Sequence, residues 1–264
     1  MRSLIEFSCA GEALYGTLDE APGATGLLIV SGGNEIRIGA HRGMAQLAQR
    51  VAEAGYPVFR FDRRGIGDSS GDNHGFESSA DDIAAAARTF RSQAGAARIV
   101  AFGNCDAATA LAFFHEQAGI DALVLANPWV IEQVDELPPA AAIRSHYAQK
   151  LRDPREWLRL LRGGVNITKL FKGLAKLSKK PIEEPTGLAA RLAASLDQSR
   201  APVTLLLAKG DNTAIAFADA FQRPIFDAAR KRMKIRHLDS ASHSFAATSD
   251  KDWLFDRVIR ALKA

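Results

Sequence analysis

The chain has 264 residues, 47% of them hydrophobic, which is enough to bury a large core and sits at the upper end of what one domain holds. Its net charge of +4 is mild for that length and gives no reason to expect a nucleic-acid partner. Two cysteines, Cys9 and Cys105, fall in different predicted elements, which excludes a disulfide framework and fits a reducing compartment.

In chain order, Leu4 to Cys9 and Ala13 to Leu18, joined at Ala10-Gly11-Glu12, read as an antiparallel hairpin. Gly26 to Val30, Pro57 to Asp62, Arg98 to Gly103, Ala122 to Asn127, Pro202 to Ala208 and Met233 to Leu238 read as strands, all but the last as buried ones. Gly43 to Ala54, Ser78 to Gln93 and Ala107 to Gln117 carry apolar residues at helical spacing between those strands, and a helix closes the chain. The alternation predicts an α/β fold with a mainly parallel central sheet flanked by helices, joined by right-handed crossovers.

From about Trp129 to Arg200 no strand pattern appears, so residues 129–200 are expected to form a helical lid insertion between two core segments, 1–128 and 201–264. Within it, Lys150 to Lys180 carries ten Lys or Arg against two acids, interleaved with Trp157 and several leucines. Such an amphipathic basic surface suits an anionic ligand or peripheral contact with an anionic membrane, although a solvated helix face is the commoner meaning. The N-terminus, Met1 to Glu6, meets an acid before any apolar run, and no later stretch approaches a membrane span; a soluble, cytoplasmic protein is expected.

The chemistry concentrates at three places. Strand residues Arg98 to Phe102 run into Gly103-Asn104-Cys105-Asp106-Ala107 and then a helix. A nucleophile on so sharp a strand-to-helix bend is exposed by a strained backbone and needs small residues two before and two after it, which Gly103 and Ala107 supply. Serine is the usual occupant. Cysteine at a helix N-terminus is favoured as thiolate by the backbone amides and the dipole. A free cysteine is more often a buried packing residue, so the partners matter.

Asp211 lies just past the strand Val203 to Ala208, where a carboxylate can orient an imidazole; Asp219 and Asp239 are its rivals. His243, in the polar loop Asp239 to Phe245, is the candidate base, preferred over His237 in a strand, His115 in a helix and His146 in the insertion. The chain order of nucleophile, acid and histidine matches that of the bend just described. After the first buried strand, Ser31-Gly32-Gly33-Asn34 can offer a backbone amide, from Gly33 or Asn34, to pair with the amide of Asp106 as an oxyanion hole. Arg37, His41 and Arg42 follow, able either to bind a substrate anion or to pair with Asp62, Asp68 or Glu35. The loop Asp62 to Gly71 lacks the third glycine of a dinucleotide fingerprint in its place and reads as a structural turn. No His, Cys or carboxylate cluster has metal-ligand spacing, and neither metal nor cofactor is expected.

With these pieces assembled, the chain resembles the hydrolase 1 proteins associated with the exosortase A system of bacteria, a branch of the α/β-hydrolase superfamily. The Gly32-Gly33 loop with Arg37 to Arg42, Phe59 to Ser69, Cys105 to Ala108, Asn127-Pro128-Trp129 and His146-Tyr147 carry the likeness. It implies an α/β-hydrolase fold with a cysteine nucleophile in bacteria that make exopolysaccharide and sort proteins by a C-terminal signal. Trp129 and His146 join Arg37, His41 and Arg42 as expected substrate-binding residues. Two functions stand. One is a hydrolase or acyltransferase in which Cys105, His243 and Asp211 act on an ester, lactone or thioester, the partner being a small-molecule acyl substrate, anionic or CoA- or carrier-linked. The other is an inactive binding or accessory protein that keeps the fold.

Overall fold

The computed structural model describes residues 1–132 and 187–264. Arg2–Cys9 (β1) and Glu12–Asp19 (β2) pair antiparallel from Arg2 opposite Asp19 to Cys9 opposite Glu12. Ala10 and Gly11 between them both take positive φ, at 51° and 89°, which gives a two-residue turn the twist its strands need. Six further strands follow: Thr25–Val30 (β3), Val58–Phe61 (β4), Arg98–Asn104 (β5), Ala122–Ala126 (β6), Val203–Ala208 (β7) and Lys234–Leu238 (β8). The sheet order is β1-β2-β4-β3-β5-β6-β7-β8. Beyond β2, which meets β4 antiparallel, every pairing is parallel. That order, with an antiparallel opening on a parallel sheet, is the α/β-hydrolase fold.

Helices cover both faces, and the strands read accordingly. Along β3, Leu28 and Val30 enter one core cluster while Leu27 and Ile29 enter the other, so the strand is apolar at successive positions instead of alternating. Gly43–Glu53 (α1) lays Met44, Leu47, Ala48 and Val51 on the second face, at the i, i+3, i+4, i+7 spacing of one helical stripe. Thr248–Lys263, the C-terminal helix, joins it there through Leu254, Val258 and Leu262. Ala80–Ala94 (α2) and Asp106–Phe114 (α3) cover the first face with short side chains, Ala84 to Ala87 and Ala107 to Ala112, which brings both helices close to the sheet.

Each strand expected from the sequence is present within two residues of its expected bounds. Three helices were not expected as such: Leu188–Gln198 (α4), Asn212–Phe221 (α5) and Asp227–Arg232 (α6). With them in place, the C-terminal helix is α7. α4 falls inside the range expected for the insertion, yet Leu188, Leu192, Ala193 and Leu196 are buried in the first core cluster, and Ser195 Oγ donates to the Ala112 carbonyl at 2.6 Å. Core packing therefore resumes at Leu188. The remainder of the expected lid, His146 and the basic run included, lies outside the described residues. Among the described residues no helix is long and apolar enough to cross a membrane.

Candidate active site

β5 ends at Asn104 and α3 begins at Asp106, so Cys105 alone makes the turn, with φ 63° and ψ −129°. A non-glycine residue held there costs ~1–3 kcal/mol and persists only where its surroundings determine it. Here they do: the Cys105 N–H donates to Ala126 on β6 at 3.0 Å, and its carbonyl accepts from Ala108 at 3.1 Å and Trp129 at 3.2 Å. A Cβ on Gly103 would lie 2.8 Å from the Ala107 carbonyl carbon, which is the steric reason for glycine at that place.

Asp211 leaves the end of β7 as the N-cap of α5. Its Oδ2 accepts from the Ala214 amide at 3.1 Å and from His243 Nδ1 at 3.0 Å, and the side chain is buried. His243 lies in the loop between β8 and α7, with its other contact on Cys105. The hydrogen bond to Asp211, then that to Cys105, push His243 up from 6.5 to about 10 against the opposing effect of partial burial. That direction favours the protonated imidazole. Cys105 and His243 line one cleft of about 130 Å³ with Gly32, Gly33 and the apolar Val30, Met44 and Phe102.

The loop after β3 brings Gly33 to this cleft and leaves Asn34 outside it, where Asn34 Oδ1 accepts from Asn73 Nδ2 at 2.9 Å. Gly33 N–H donates to Asp106 Oδ1 at 2.6 Å. The Asp106 amide is the first of α3 and has no partner among the described residues.

The chain matches the family described as serine aminopeptidase, S33, over residues 27–173, more than half its length. It belongs to that family. The elbow, however, carries Cys105 where the family's description names a serine. Among solved structures, the esterase Pf2001 of Pyrococcus furiosus is similar over 100% of this chain and 90% of its own, with 17% identity and a TM-score of 0.67. A thioesterase domain from the curacin biosynthetic pathway is similar over 98% of this chain and 99% of its own, with 14% identity and a TM-score of 0.61. An α/β serine hydrolase without lid from Xanthomonas campestris is similar over 98% and 94%, with 11% identity and a TM-score of 0.59. No curated protein matches the chain in sequence.

The other sequence candidates sort by contact. Arg37 is engaged by Asp62 and Asp68, with its backbone N–H also on Asp62 and Nε on Thr17, so the structure brings this residue to structural partners in the neighbouring loop. His41 and Arg42 are exposed, follow the cleft residue Ala40, and form no ion pair among the described residues. Trp129 holds the elbow through its backbone, its carbonyl accepting from Thr109 Oγ1 at 2.7 Å. Asp239 and His237 are exposed, and Asp219 lies on α5 beside Arg223.

A second Ser-His pair is present, His115 with Ser199. His115 Nδ1 lies 3.2 and 3.0 Å from the Leu111 and Ala112 carbonyls, to which it donates, so Nε2 is left to accept from Ser199 Oγ at 2.8 Å. Both residues are buried, His115 at the C-terminal end of α3 and Ser199 at that of α4, and no carboxylate among the described residues orients the ring.

Sequence reasoning missed the role of two asparagines. Ala208 N–H donates to Asn127 Oδ1 at 2.9 Å, Asn127 Nδ2 to Asn104 Oδ1 at 3.0 Å, and Asn104 Nδ2 to the His243 carbonyl at 3.0 Å. This relay joins the tips of β5, β6 and β7 to the histidine loop. The signal available was positional: each asparagine falls at the C-terminal end of a predicted strand, where only a shared carboxyl edge gives them anything to meet.

Proposed function

We propose that the protein is a cysteine-dependent acyl-transfer enzyme, a hydrolase or acyltransferase, with Cys105 as nucleophile, His243 as proton carrier and Asp211 as its orienting carboxylate. The observation that carries this is the position of His243, its Nδ1 3.0 Å from Asp211 Oδ2 and its ring lining one cleft with Cys105. The carboxylate and the thiol beside His243 push it toward its protonated form. It is well suited to hold a thiolate.

Cys105 thiolate attacks the carbonyl carbon of an ester, lactone or thioester; the C–S bond forms as the carbonyl electron pair moves onto oxygen. Collapse expels the alkoxide or thiolate, which takes the His243 proton, and leaves an acyl thioester on Cys105. Neutral His243 then takes a proton from water or an acceptor alcohol, whose oxygen attacks the thioester; release of the acyl product restores thiolate and imidazolium. A cleft of about 130 Å³ with apolar walls favours a short acyl group. The basic run Lys150 to Lys180 favours an anionic donor, CoA- or carrier-linked, and offers a peripheral contact with anionic membrane. The resemblance to exosortase A-associated hydrolases supports a setting in bacteria that make exopolysaccharide.

Intact-protein mass after brief exposure to activated esters and acyl thioesters tests this. One acyl adduct is expected, absent from Cys105→Ala and depleted in His243→Ala, with the best donor defining the substrate class. Failure to label, or labelling shared equally with Cys9, refutes the proposal in favour of a fold-retaining binding protein.

A further inference from the structure

The amide best placed to complete an oxyanion hole is already occupied. Gly33 N–H donates to Asp106 Oδ1 at 2.6 Å, a charge-assisted distance. Asp106 is also the residue whose own backbone N–H would be the other donor, at the start of α3. A Cβ built on Gly32 would lie 2.8 Å from the same carboxylate oxygen and 3.5 Å from Cys105 Cβ, so the carboxylate crosses the glycine backbone immediately beside the nucleophile. Gly33 is fixed from its other side, where its carbonyl accepts from the buried Arg63 guanidinium.

We propose that the Asp106 carboxylate is a resident anion in the oxyanion hole, which holds the site closed at rest and must leave before Cys105 can be acylated. This rests on the proposed function for its chemistry and not for its geometry. A tetrahedral oxyanion and a carboxylate cannot share one N–H, and their like charges repel. With Asp106 in place, an attacking thiolate has only the Asp106 amide to stabilise the new oxyanion, and loss of one such donor costs about 10²–10³ in rate. Rotation of the Asp106 side chain frees Gly33 while leaving its own backbone amide in position, so the device needs no movement of α3. The site is then selective for substrates whose remaining contacts drive that rotation, and slow toward small activated esters that offer none.

A carboxylate at the first position of a helix is also favourable to the dipole, and Asp106 could serve only to tie the glycine loop to α3. The two roles predict opposite outcomes. The Gly33 amide resonance and butyrate binding are followed by NMR in the Cys105→Ala protein, where no acylation occurs, with Asp106 and with Asp106→Ala. With Asp106 present, the Gly33 proton is expected far downfield and unresponsive to butyrate; in Asp106→Ala it moves upfield and responds saturably. With Cys105 intact, acylation by p-nitrophenyl butyrate is expected to rise about 10²- to 10³-fold in Asp106→Ala, with the isosteric Asp106→Asn intermediate. An unchanged Gly33 resonance, equal butyrate binding with and without Asp106, or a fall in acylation in folded Asp106→Ala and Asp106→Asn proteins overturns the proposal. If no variant is acylated at Cys105, the enzyme proposal fails, while the butyrate titration still decides this one.

Discussion

At the scale of single residues, the site depends on how differently two thiols are placed and on what His243 touches. Cys9 is buried, and burial together with its hydrogen bond to Asp82 pushes its thiol up to about 11. Cys105 is half-buried and lines a cleft with His243. A limiting amount of an alkylating reagent at neutral pH is therefore expected to modify Cys105 and spare Cys9 in the folded protein, as peptide mapping would show; comparable modification of both would contradict the assignment. The protonation of His243 supplies a second prediction. Its folded-state value, about 10, lies above the unfolded 6.5, so its contribution to stability is fully present below about pH 6.5 and is lost as the pH rises toward 10. The difference in melting temperature between the native chain and His243→Gln should narrow across that window, and Asp211→Asn should lower the His243 titration seen by NMR. Cys105→Ser should lose at least ~10² in acylation rate at pH 7, since a hydroxyl is a far weaker nucleophile than a thiolate in a site built around a thiol. That Cys105, Asp211 and His243 were legible in the sequence follows from local rules: a bend flanked by small residues, and a carboxylate and a histidine each just beyond a strand. The carboxylate on the Gly33 amide was not legible, because a hydrogen bond across 73 positions has no local pattern.

At the scale of elements, strands were easier to read than helices. A strand buried on both faces is a short, nearly unbroken apolar run, and β3, β5, β6 and β7 each announce themselves that way. α5 escaped because its start, Asp211-Asn212-Thr213, reads as a loop until one sees that Asp211 caps it while also serving His243. One residue meets two needs with the same Oδ2, and only the second was anticipated. The asparagine relay belongs to this scale too, since it fixes strand ends relative to one another. Asn127 is fully buried with φ 42°, and its side chain satisfies the Ala208 amide. Asn127→Ala strands that amide and frees Asn104, at a cost of ~1–3 kcal/mol by urea denaturation and with a loss of acylation rate. A stability change with no kinetic effect would show that the relay does not align His243.

At the scale of the whole molecule, the fold class followed from the alternation of strands and helices, whereas the order of the sheet is known only from the structure. The extent of the insertion did not follow, because a helix that lines a lid and a helix that rejoins the core share the same amphipathic period. α4 shows the difference only through what it touches: Leu192 and Leu196 pack into the same cluster as Leu111 and Leu123. Leu192→Ala should cost ~2–5 kcal/mol in global unfolding, as a core truncation does. A cost below ~1 kcal/mol, or unfolding of a separate unit, would return α4 to the insertion.

The relay has a consequence for how activity first arises as the chain folds. Its members come from Asn104, Asn127, Ala208 and His243, so it closes only when segments spread over more than half of the sequence have met. The bend at Cys105 is held by nearer partners, Ala108, Ala126 and Trp129. During refolding the elbow can therefore form early, while the histidine arrives last, after the distant strands β6 and β7 have paired. A growing chain therefore carries Cys105 without its imidazole neighbour until His243 has been made.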